Sequence, residues 1–385
     1  MSPGERYLEL CLRLRRHDDG LVDAYFGPSE IAERIAAEPL REPAELVADA
    51  RQLIDEADVP YLRGQLVGLE TVARKLAGEE IPYADEVERC YAIRPQRVPE
   101  ERFEEAHRAL DEVLPADGGL AERYQRWRES NLLPADKIEA VLGALNARLR
   151  ERTRELFGLP EGEATEIELV TGKHWSAYNY YLGGLRSRVA VNTDVDLNAS
   201  GVAILVAHEL YPGHHTENAW KEQLLYVEGG RLEAAVVMYG TPQSVIAEGI
   251  AELAIEMVVD DHDAFLAEVL GEWGIGYDAD VGRRIRRAKE PLERVVANAA
   301  LLLNEDGVSA EEAKAYIRRW GLVSEKRAQQ NVDFVMDPIG RAYITTYTDG
   351  YDLCREWVDG DPTRFKRLLT EQLSPADLLD SRFER

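Results

Sequence analysis

A cluster of histidines is the first sign of chemistry in this 385-residue chain. Three of the seven histidines fall within one run, His208-Glu209-Leu210-Tyr211-Pro212-Gly213-His214-His215. The preceding residues 202–207 are apolar and predict a buried helix that ends in a His-Glu pair. This is the context of the HExxH zinc motif, in which histidines at i and i+4 bind the metal and the glutamate activates the attacking water. The run predicts a site for one Zn²⁺ ion, with His208 as a ligand and Glu209 as the general base.

The spacing of the run departs from that motif, because Pro212 stands at i+4 and the next histidines at i+6 and i+7. In a continuous helix His214 would point away from His208, and His215 would lie about 10 Å along the axis, too far to share an ion. Proline breaks the helix and glycine accepts unusual backbone angles, so Pro212-Gly213 can return a histidine toward His208. We predict His214 as the second ligand, since it needs the shorter detour. We predict His215 either as a residue that supports the ligands without binding the metal or as a substrate contact. The choice between the two histidines stays open.

A carboxylate further along the chain would complete the ligand set, since catalytic zinc usually has three protein ligands and one position for water. The apolar segment 245–257 carries Glu248, Glu252 and Glu256 at four-residue steps, on one helical face. Gly249, beside Glu248, permits close approach of another helix or a ligand. We predict Glu248 as the third ligand and Glu252 as an acceptor for a histidine N–H. Glu256 fits best as part of a solvated face.

Further candidates come from the tyrosines and arginines. The oxyanion formed during hydrolysis needs a donor besides the metal. Tyr347 is the first candidate for that donor and Tyr343 the second, although ordinary core packing is an equal alternative for both. Arg341, Arg186 or Arg188 could clamp a substrate carboxylate through a bidentate contact. A surface salt bridge is the more ordinary role for each arginine.

The first 160 residues predict consecutive amphipathic helices. The clearest spans 134–157, where apolar residues recur at three- and four-residue steps: Ile138, Val141, Leu142, Leu145, Leu149 and Leu156. Similar patterns predict helices over about 4–16, 43–56, 61–77 and 99–113. Another helix is expected to open at Pro28 or Ser29.

The pattern changes between residues 160 and 198. Residues 166–170 and 186–192 predict two short strands, which we expect to form a small hairpin through Gly183-Gly184. Helical patterns return from 198 onward, without an internal repeat or a long linker. We therefore expect one mainly α, zincin-like domain over 1–385, with an N-terminal helical part (1–160), a metal-site part (161–385) and a β hairpin near the metal-site helix.

Composition excludes several classes of function. The formal net charge is −26, with 72 acidic against 46 basic residues, which argues against binding to nucleic acids or anionic membranes. Cys11, Cys90 and Cys354 are odd in number and far apart, so neither a disulfide framework nor a CxxC metal site is expected. No apolar run approaches the ~18 residues that span a bilayer, and the first residues lack an apolar signal core. We expect a cytoplasmic protein, and a homodimer stays open.

The motifs together resemble those of the bacterial domain-of-unknown-function 885 family, whose patterns read HExxPGHH and then EGxA. Here these are residues 208–215 and Glu248-Gly249-Ile250-Ala251. The resemblance covers about 170–355 and includes Val191-Asn192-Thr193, Pro338-x-x-Arg341 and Tyr347-x-x-Gly350. That family is thought to share its helical fold with the carboxypeptidase Taq type of metallocarboxypeptidase, in which two histidines and a downstream glutamate bind zinc. The resemblance implies a gluzincin-like zinc hydrolase without fixing its substrate.

Taken together, these features predict metal-assisted hydrolysis of a peptide or small amide by a metallopeptidase or carboxypeptidase. One alternative is a metallohydrolase of esters or non-peptide amides, which would use the same chemistry. The other is a non-catalytic helical metal-binding module. Glu209 argues against that module, because binding alone does not need a base at this position.

Overall fold

The computed structural model describes residues 2–173 and 175–380, and helices predominate in it. The α-helices in chain order are α1 (Pro3–Arg15), α2 (Ser29–Ala37), α3 (Pro43–Glu56), α4 (Pro60–Leu76), α5 (Tyr83–Tyr91), α6 (Glu100–Val113), α7 (Leu120–Ser130), α8 (Ile138–Phe157), α9 (Ala199–Glu209), α10 (His214–Lys221), α11 (Gln243–Val258), α12 (His262–Glu272), α13 (Ala279–Lys289), α14 (Val295–Asn304), α15 (Ala310–Gly321), α16 (Glu325–Met336), α17 (Gly340–Val358), α18 (Pro362–Thr370) and α19 (Pro375–Asp380). Short 3₁₀ segments lie at Asp19–Leu21, Ala135–Lys137, Leu232–Ala235 and Glu290–Arg294, and a π-helical segment lies at Glu222–Glu228.

The strands are few and short: β1 (Val22–Tyr25), β2 (Ala164–Val170), β3 (Ala177–Gly183), β4 (Arg186–Asn192) and β5 (Val236–Met238). They form a two-stranded sheet of β1 and β5 and a three-stranded sheet in the order β2-β4-β3. This architecture confirms the predicted mainly α class with small β elements.

The predicted N-terminal helices are confirmed, because α1, α3, α4 and α6 each begin and end within one residue of their expected positions. Helix α8 begins four residues later than predicted, after the 3₁₀ segment that follows Pro134. Its apolar face is buried except at Leu156, which is 53 % exposed. Phe157 takes that place in the core and packs against Phe365, with ring centroids 5.1 Å apart. The prediction for Leu156 was therefore wrong, because the last turn presents the next residue to the core.

The predicted hairpin was wrong in its pairing. Both expected strands exist, within β2 and β4, but they run parallel, from the pair Ala164–Arg186 to the pair Val170–Asn192. The antiparallel partner of β4 is β3, which joins it through a turn where Gly183 and Gly184 have positive φ. Parallel strands need a crossover connection, and β3 lies within it. The Gly-Gly turn joins β4 to the segment directly before it, whose aromatic residues favour a strand.

Helices α9, α11 and α17 form the framework of the largest apolar core, to which α8 and α18 also contribute. Helices α11 and α17 approach closely because glycines face each other at the contact. A Cβ atom on Gly249 would lie 2.4 Å from the carbonyl oxygen of Gly350, and one on Gly350 would lie 2.5 Å from that of Val245. This contact needs both glycines, and it brings Glu248 on α11 close to the tyrosines of α17.

Two further expectations concern cysteines and membranes. Cys11, Cys90 and Cys354 are buried and free. Among the described residues, no helix combines the length and the apolar character needed to cross a membrane.

Candidate metal centre

The chain reverses between the two histidines that are the predicted ligands. Helix α9 ends at Glu209 and α10 begins at His214. The N–H of Gly213 donates to the carbonyl of Ala207 at 3.0 Å, which folds this short link back over the end of α9. A Cβ atom on Gly213 would lie 1.9 Å from the carbonyl oxygen of His208, so only glycine fits here. As a result His214 lies beside His208, with ring centroids 4.7 Å apart and ring planes at 89°.

Glu248 of α11 lies against both rings. Its Oε2 atom is 3.5 Å from Nε2 of His208, and its Oε1 atom is 3.7 Å from Nε2 of His214. One ligand atom from each of the three residues lies within 4.8 Å of the other two. Ligand atoms bound about 2.1 Å from a tetrahedral zinc ion would be roughly 3.3 Å apart. A small inward movement of the three side chains would therefore suit one ion.

The hydrogen bonding of Glu248 also fits a metal ligand. The residue is 4 % exposed, yet its Oε2 atom accepts no hydrogen bond among the described residues. Burial raises the pKa of Glu248 well above its usual value, against the lowering effect of the Tyr343 hydroxyl. Burial likewise lowers the pKa of His208 and His214, so both are neutral and can bind a metal. Two neutral histidines and a buried carboxylate with one oxygen atom left without a hydrogen bond fit Zn²⁺ in both charge and donor type.

Glu209, the predicted base, lines the same cavity of about 120 Å³ as the three candidate ligands. Burial raises its pKa to about 8, and the charges of Asp23 and Glu252 act in the same direction. The side-chain amide of Asn179 donates to the Glu209 carbonyl at 2.5 Å and so fixes the end of α9. A buried carboxylate with a pKa near neutrality is suited to general-base catalysis.

The two tyrosines of α17 also line this cavity, but in different ways. The hydroxyl of Tyr343 donates to Oε1 of Glu248, so it holds the carboxylate in place. The hydroxyl of Tyr347 has no hydrogen-bond partner in the described part of the chain and is free to donate to a substrate. Glu252 lies at the other side of His208, with its Oε1 atom 3.5 Å from Nδ1. Burial raises the pKa of Glu252 to about 7, to which the nearby charge of Glu293 contributes.

His215 lies outside the cavity, although it is the next residue after His214. It is fully buried, with Nδ1 2.8 Å from the Ser187 hydroxyl and Nε2 3.1 Å from Oε2 of Glu163. Glu163 also accepts from the Tyr211 hydroxyl at 2.5 Å and from Nε of Arg150 at 2.8 Å. We call these five residues the Glu163 cluster: Arg150, Glu163, Ser187, Tyr211 and His215. The cluster anchors Tyr211, within the link between α9 and α10, and His215, at the start of α10.

The three candidate arginines are not brought to the cavity. Arg341 forms an ion pair with Glu86. Arg188 lies 3.6 Å from Glu168 and covers the ring of Tyr180. Arg186 lies at an exposed position of β4. Arg341 and Arg188 therefore form ion pairs within the fold, which is the alternative to a substrate clamp given for them above.

Sequence reasoning missed Asp23, which lies on β1 and lines the cavity from the N-terminal side. Its Oδ1 atom accepts from the hydroxyls of Tyr178 and Tyr239, the latter at 3.0 Å. The pairing of β1 with β5 places Asp23 next to Tyr239, 216 residues further along the chain. No local pattern signals such a contact. Glu163 was missed as well, since it precedes β2 as one glutamate among many.

Comparisons with known proteins leave the family open. No family model matches the chain, and no curated protein matches it either. A provisionally assigned lipoprotein from Colwellia psychrerythraea has a similar structure, with a TM-score of 0.57, 16 % identity, and coverage of 89 % of this chain and 67 % of that one. A second such protein, of unknown function from Shewanella oneidensis, has a TM-score of 0.49, 11 % identity, and coverage of 97 % and 77 %. The first likeness shows a shared fold only, and the second carries no argument. The resemblance to the domain-of-unknown-function 885 family stays a prediction.

Proposed function

We propose that this protein is a zinc-dependent hydrolase that cleaves peptide bonds. One observation carries the proposal: the ligand atoms of His208, His214 and Glu248 converge at the cavity that Glu209 also lines. Metal-assisted hydrolysis requires at least a set of metal ligands and an adjacent carboxylate base. When bound, zinc would polarise the scissile carbonyl and acidify the attacking water.

The residues of the chain have separate roles in this proposal. Glu209 takes a proton from the attacking water and delivers it to the leaving nitrogen. Tyr347 donates its free hydroxyl to the oxyanion that develops on the carbonyl oxygen. Tyr343 keeps the Glu248 carboxylate turned toward the two histidines through its hydrogen bond. Glu252 orients His208 from the Nδ1 side.

Two alternatives use the same residues differently. A hydrolase of esters or non-peptide amides would need the same groups, and only a substrate panel separates it from a peptidase. A non-catalytic metal-binding module would have no need for a buried base in the cavity. Burial of the Glu209 carboxylate is energetically unfavourable, so its presence there favours a catalytic role. The cellular compartment of the protein is also open to test. The sequence favours the cytoplasm, the description of the Colwellia psychrerythraea neighbour as a lipoprotein favours the cell envelope, and cell fractionation distinguishes them.

Metal content is the first test. Protein purified without chelators should contain about one equivalent of zinc or a similar metal. Less than a tenth of an equivalent, with no uptake on zinc addition, would overturn the proposal. Glu209→Gln should keep the metal and lower peptide hydrolysis by roughly 10²- to 10⁴-fold. Glu256→Gln is the matched control, since Glu256 is exposed on α11, and it should retain both metal and activity.

A further inference from the structure

The position of Asp23 on β1 is unusual. Val22 pairs with Met238 and Ala24 pairs with Val237, so Asp23 is the extra residue of a β-bulge. Bulges turn a side chain away from the regular alternation and are frequent beside active sites. Here the bulge directs Asp23 into the cavity that His208, Glu209 and His214 line.

Asp23 has no cationic partner in the described part of the chain. Burial raises its pKa, while the groups that oppose this effect are the hydroxyls of Tyr178 and Tyr239 and the nearby His214. Both hydroxyls reach Oδ1, which leaves Oδ2 without a hydrogen bond from any described residue.

Other carboxylates in protected positions are compensated differently. Glu9 faces Arg34 at 2.7 Å, and Asp263 faces Arg286 at 2.9 Å. Glu217, which also lines the cavity, is neutralised by Lys221 at 2.6 Å. Buried charges are normally paired in this way, so a carboxylate left unpaired in a cavity is an argument for a cationic ligand.

The charge balance of the cavity leads to the same conclusion. Two positive charges from a divalent ion would be balanced by Glu248 and Glu209, and the charge of Asp23 would remain. That charge repels the free carboxylate of a peptide C-terminus and attracts an ammonium group. The cavity is small, about 120 Å³, which favours a compact ammonium close to the scissile bond over a long basic side chain.

We propose that Asp23 binds the α-ammonium of the substrate, so that the protein removes residues from the free N-terminus of peptides. This inference rests on the proposed hydrolase function and assigns its substrate class. Tyr178 and Tyr239 are positioning residues, because their hydroxyls hold Oδ1 and leave Oδ2 for the ligand.

The first experiment measures binding rather than turnover. Calorimetric titration of the zinc-loaded protein should show that L-leucinamide binds ~10- to 100-fold more tightly than N-acetyl-L-leucinamide, since the charged hydrogen bond exists only with the free amine. In Asp23→Asn the ratio of the two affinities should fall toward one. Asp196→Asn, which changes an exposed aspartate of the same type, should keep the wild-type ratio. Equal binding of the two amides to the wild type would overturn the inference even if Asp23→Asn fails to fold.

The second experiment follows cleavage of a peptide panel with free, N-acetylated and C-amidated ends by mass spectrometry. Products should lack N-terminal residues, acetylated members should resist cleavage, and C-terminal amidation should matter little. Tyr239→Phe keeps the carboxylate but removes one of the two hydroxyls that hold its Oδ1 atom, so it should reduce the preference for free amines by less than Asp23→Asn does. Trimming from the C-terminus, or equal cleavage of acetylated peptides, would refute the role of Asp23 while the hydrolase proposal survives. No cleavage of any member by metal-loaded protein would refute both.

Discussion

Two histidine–glutamate clusters of this chain contain the consecutive residues His214 and His215. They differ in whether the hydrogen-bonding groups of their side chains all have partners. In the Glu163 cluster both ring nitrogens of His215 have partners, and Glu163 receives donors from three side chains. In the candidate metal centre His214 and His208 face Glu248 at 3.5–3.7 Å, and one carboxylate oxygen accepts no hydrogen bond from any described residue. The same residue types form a finished network in one place and an unfinished one in the other.

The pKa values follow this difference. Burial alone would raise the pKa of Glu163, but hydrogen bonds from His215, Tyr211 and Arg150 outweigh it and lower the pKa to about 2. Burial raises the pKa of Glu209 to about 8 and that of Glu248 well above its usual value, because no cationic side chain among the described residues is near enough to oppose it. A satisfied buried carboxylate stabilises the fold, whereas an unsatisfied one costs stability until a ligand arrives. The contrast distinguishes carboxylates whose partners are complete from those that are candidates for binding or catalysis, which residue type alone does not.

Replacement of His214 or of His215 by alanine should have opposite consequences for zinc affinity and for stability. His214→Ala should weaken zinc binding by at least ~100-fold, since even partners outside the ligand set typically contribute 10- to 100-fold. It should leave the free energy of unfolding of the metal-free protein nearly unchanged, because His214 has no strong hydrogen bond to lose. His215→Ala should lower that free energy by roughly 2–4 kcal/mol, because it removes one of the three donors to the buried Glu163 carboxylate and the side-chain partner of the buried Ser187 hydroxyl.

Zinc affinity from competition with a chromophoric chelator, and urea unfolding of the metal-free protein, measure the two effects of the histidine replacements separately. If His215→Ala abolished zinc binding and left stability intact, the assignment of the two histidines would have to be reversed.

The pH dependence of stability tests the Glu163 cluster itself. The pKa of Glu163 is lowered to about 2 in the folded protein, against about 4.3 in an unfolded chain, which corresponds to ~3 kcal/mol. Because the folded pKa is the lower one, this stabilisation is complete above the unfolded pKa and is lost as the pH falls toward 2. The difference in unfolding free energy between wild type and Glu163→Gln should therefore be largest near pH 7 and should shrink below pH 4. A difference that stays constant from pH 7 to pH 3 would show that Glu163 is not held as a stabilised anion.

The sequence predicts the parts of this molecule that depend on local periodicity. Each of these parts is one continuous stretch of chain, so spacing and residue type suffice to predict it. Examples are helices α1, α3, α4 and α6 and the chain reversal in the run 208–215. The same reasoning proposed Glu248, Tyr343 and Tyr347, and the structure brings all three to one cavity. Their chemical roles remain proposals.

Other features depend on contacts between distant segments, which periodicity does not encode. Asp23 meets Tyr178 across 155 residues, and Glu163 meets His215 across 52. The parallel pairing of β2 with β4 likewise depends on a crossover and not on the turn that precedes β4. Arg341 was proposed as a clamp for a substrate carboxylate, but its guanidinium pairs with Glu86, 255 residues away along the chain.

The pH dependence of stability also tests the candidate metal centre. The pKa of Glu209 is raised to about 8 in the folded protein, against about 4.3 in an unfolded chain. Because the folded pKa is the higher one, the resulting destabilisation of the metal-free fold is complete above pH 8, decreases as the pH falls between the two values and is absent below the unfolded pKa. Glu209→Gln should therefore raise the unfolding free energy of the metal-free protein at pH 9 by at least ~1 kcal/mol, and should change it little at pH 5. Urea unfolding in the presence of a chelator measures both values, with Glu256→Gln as the exposed control on α11. Destabilisation by Glu209→Gln at pH 9 would place Glu209 with Glu163 among the satisfied carboxylates. A gain in stability together with a loss of hydrolysis would mean that the chain keeps this carboxylate for chemistry and at a cost to its fold.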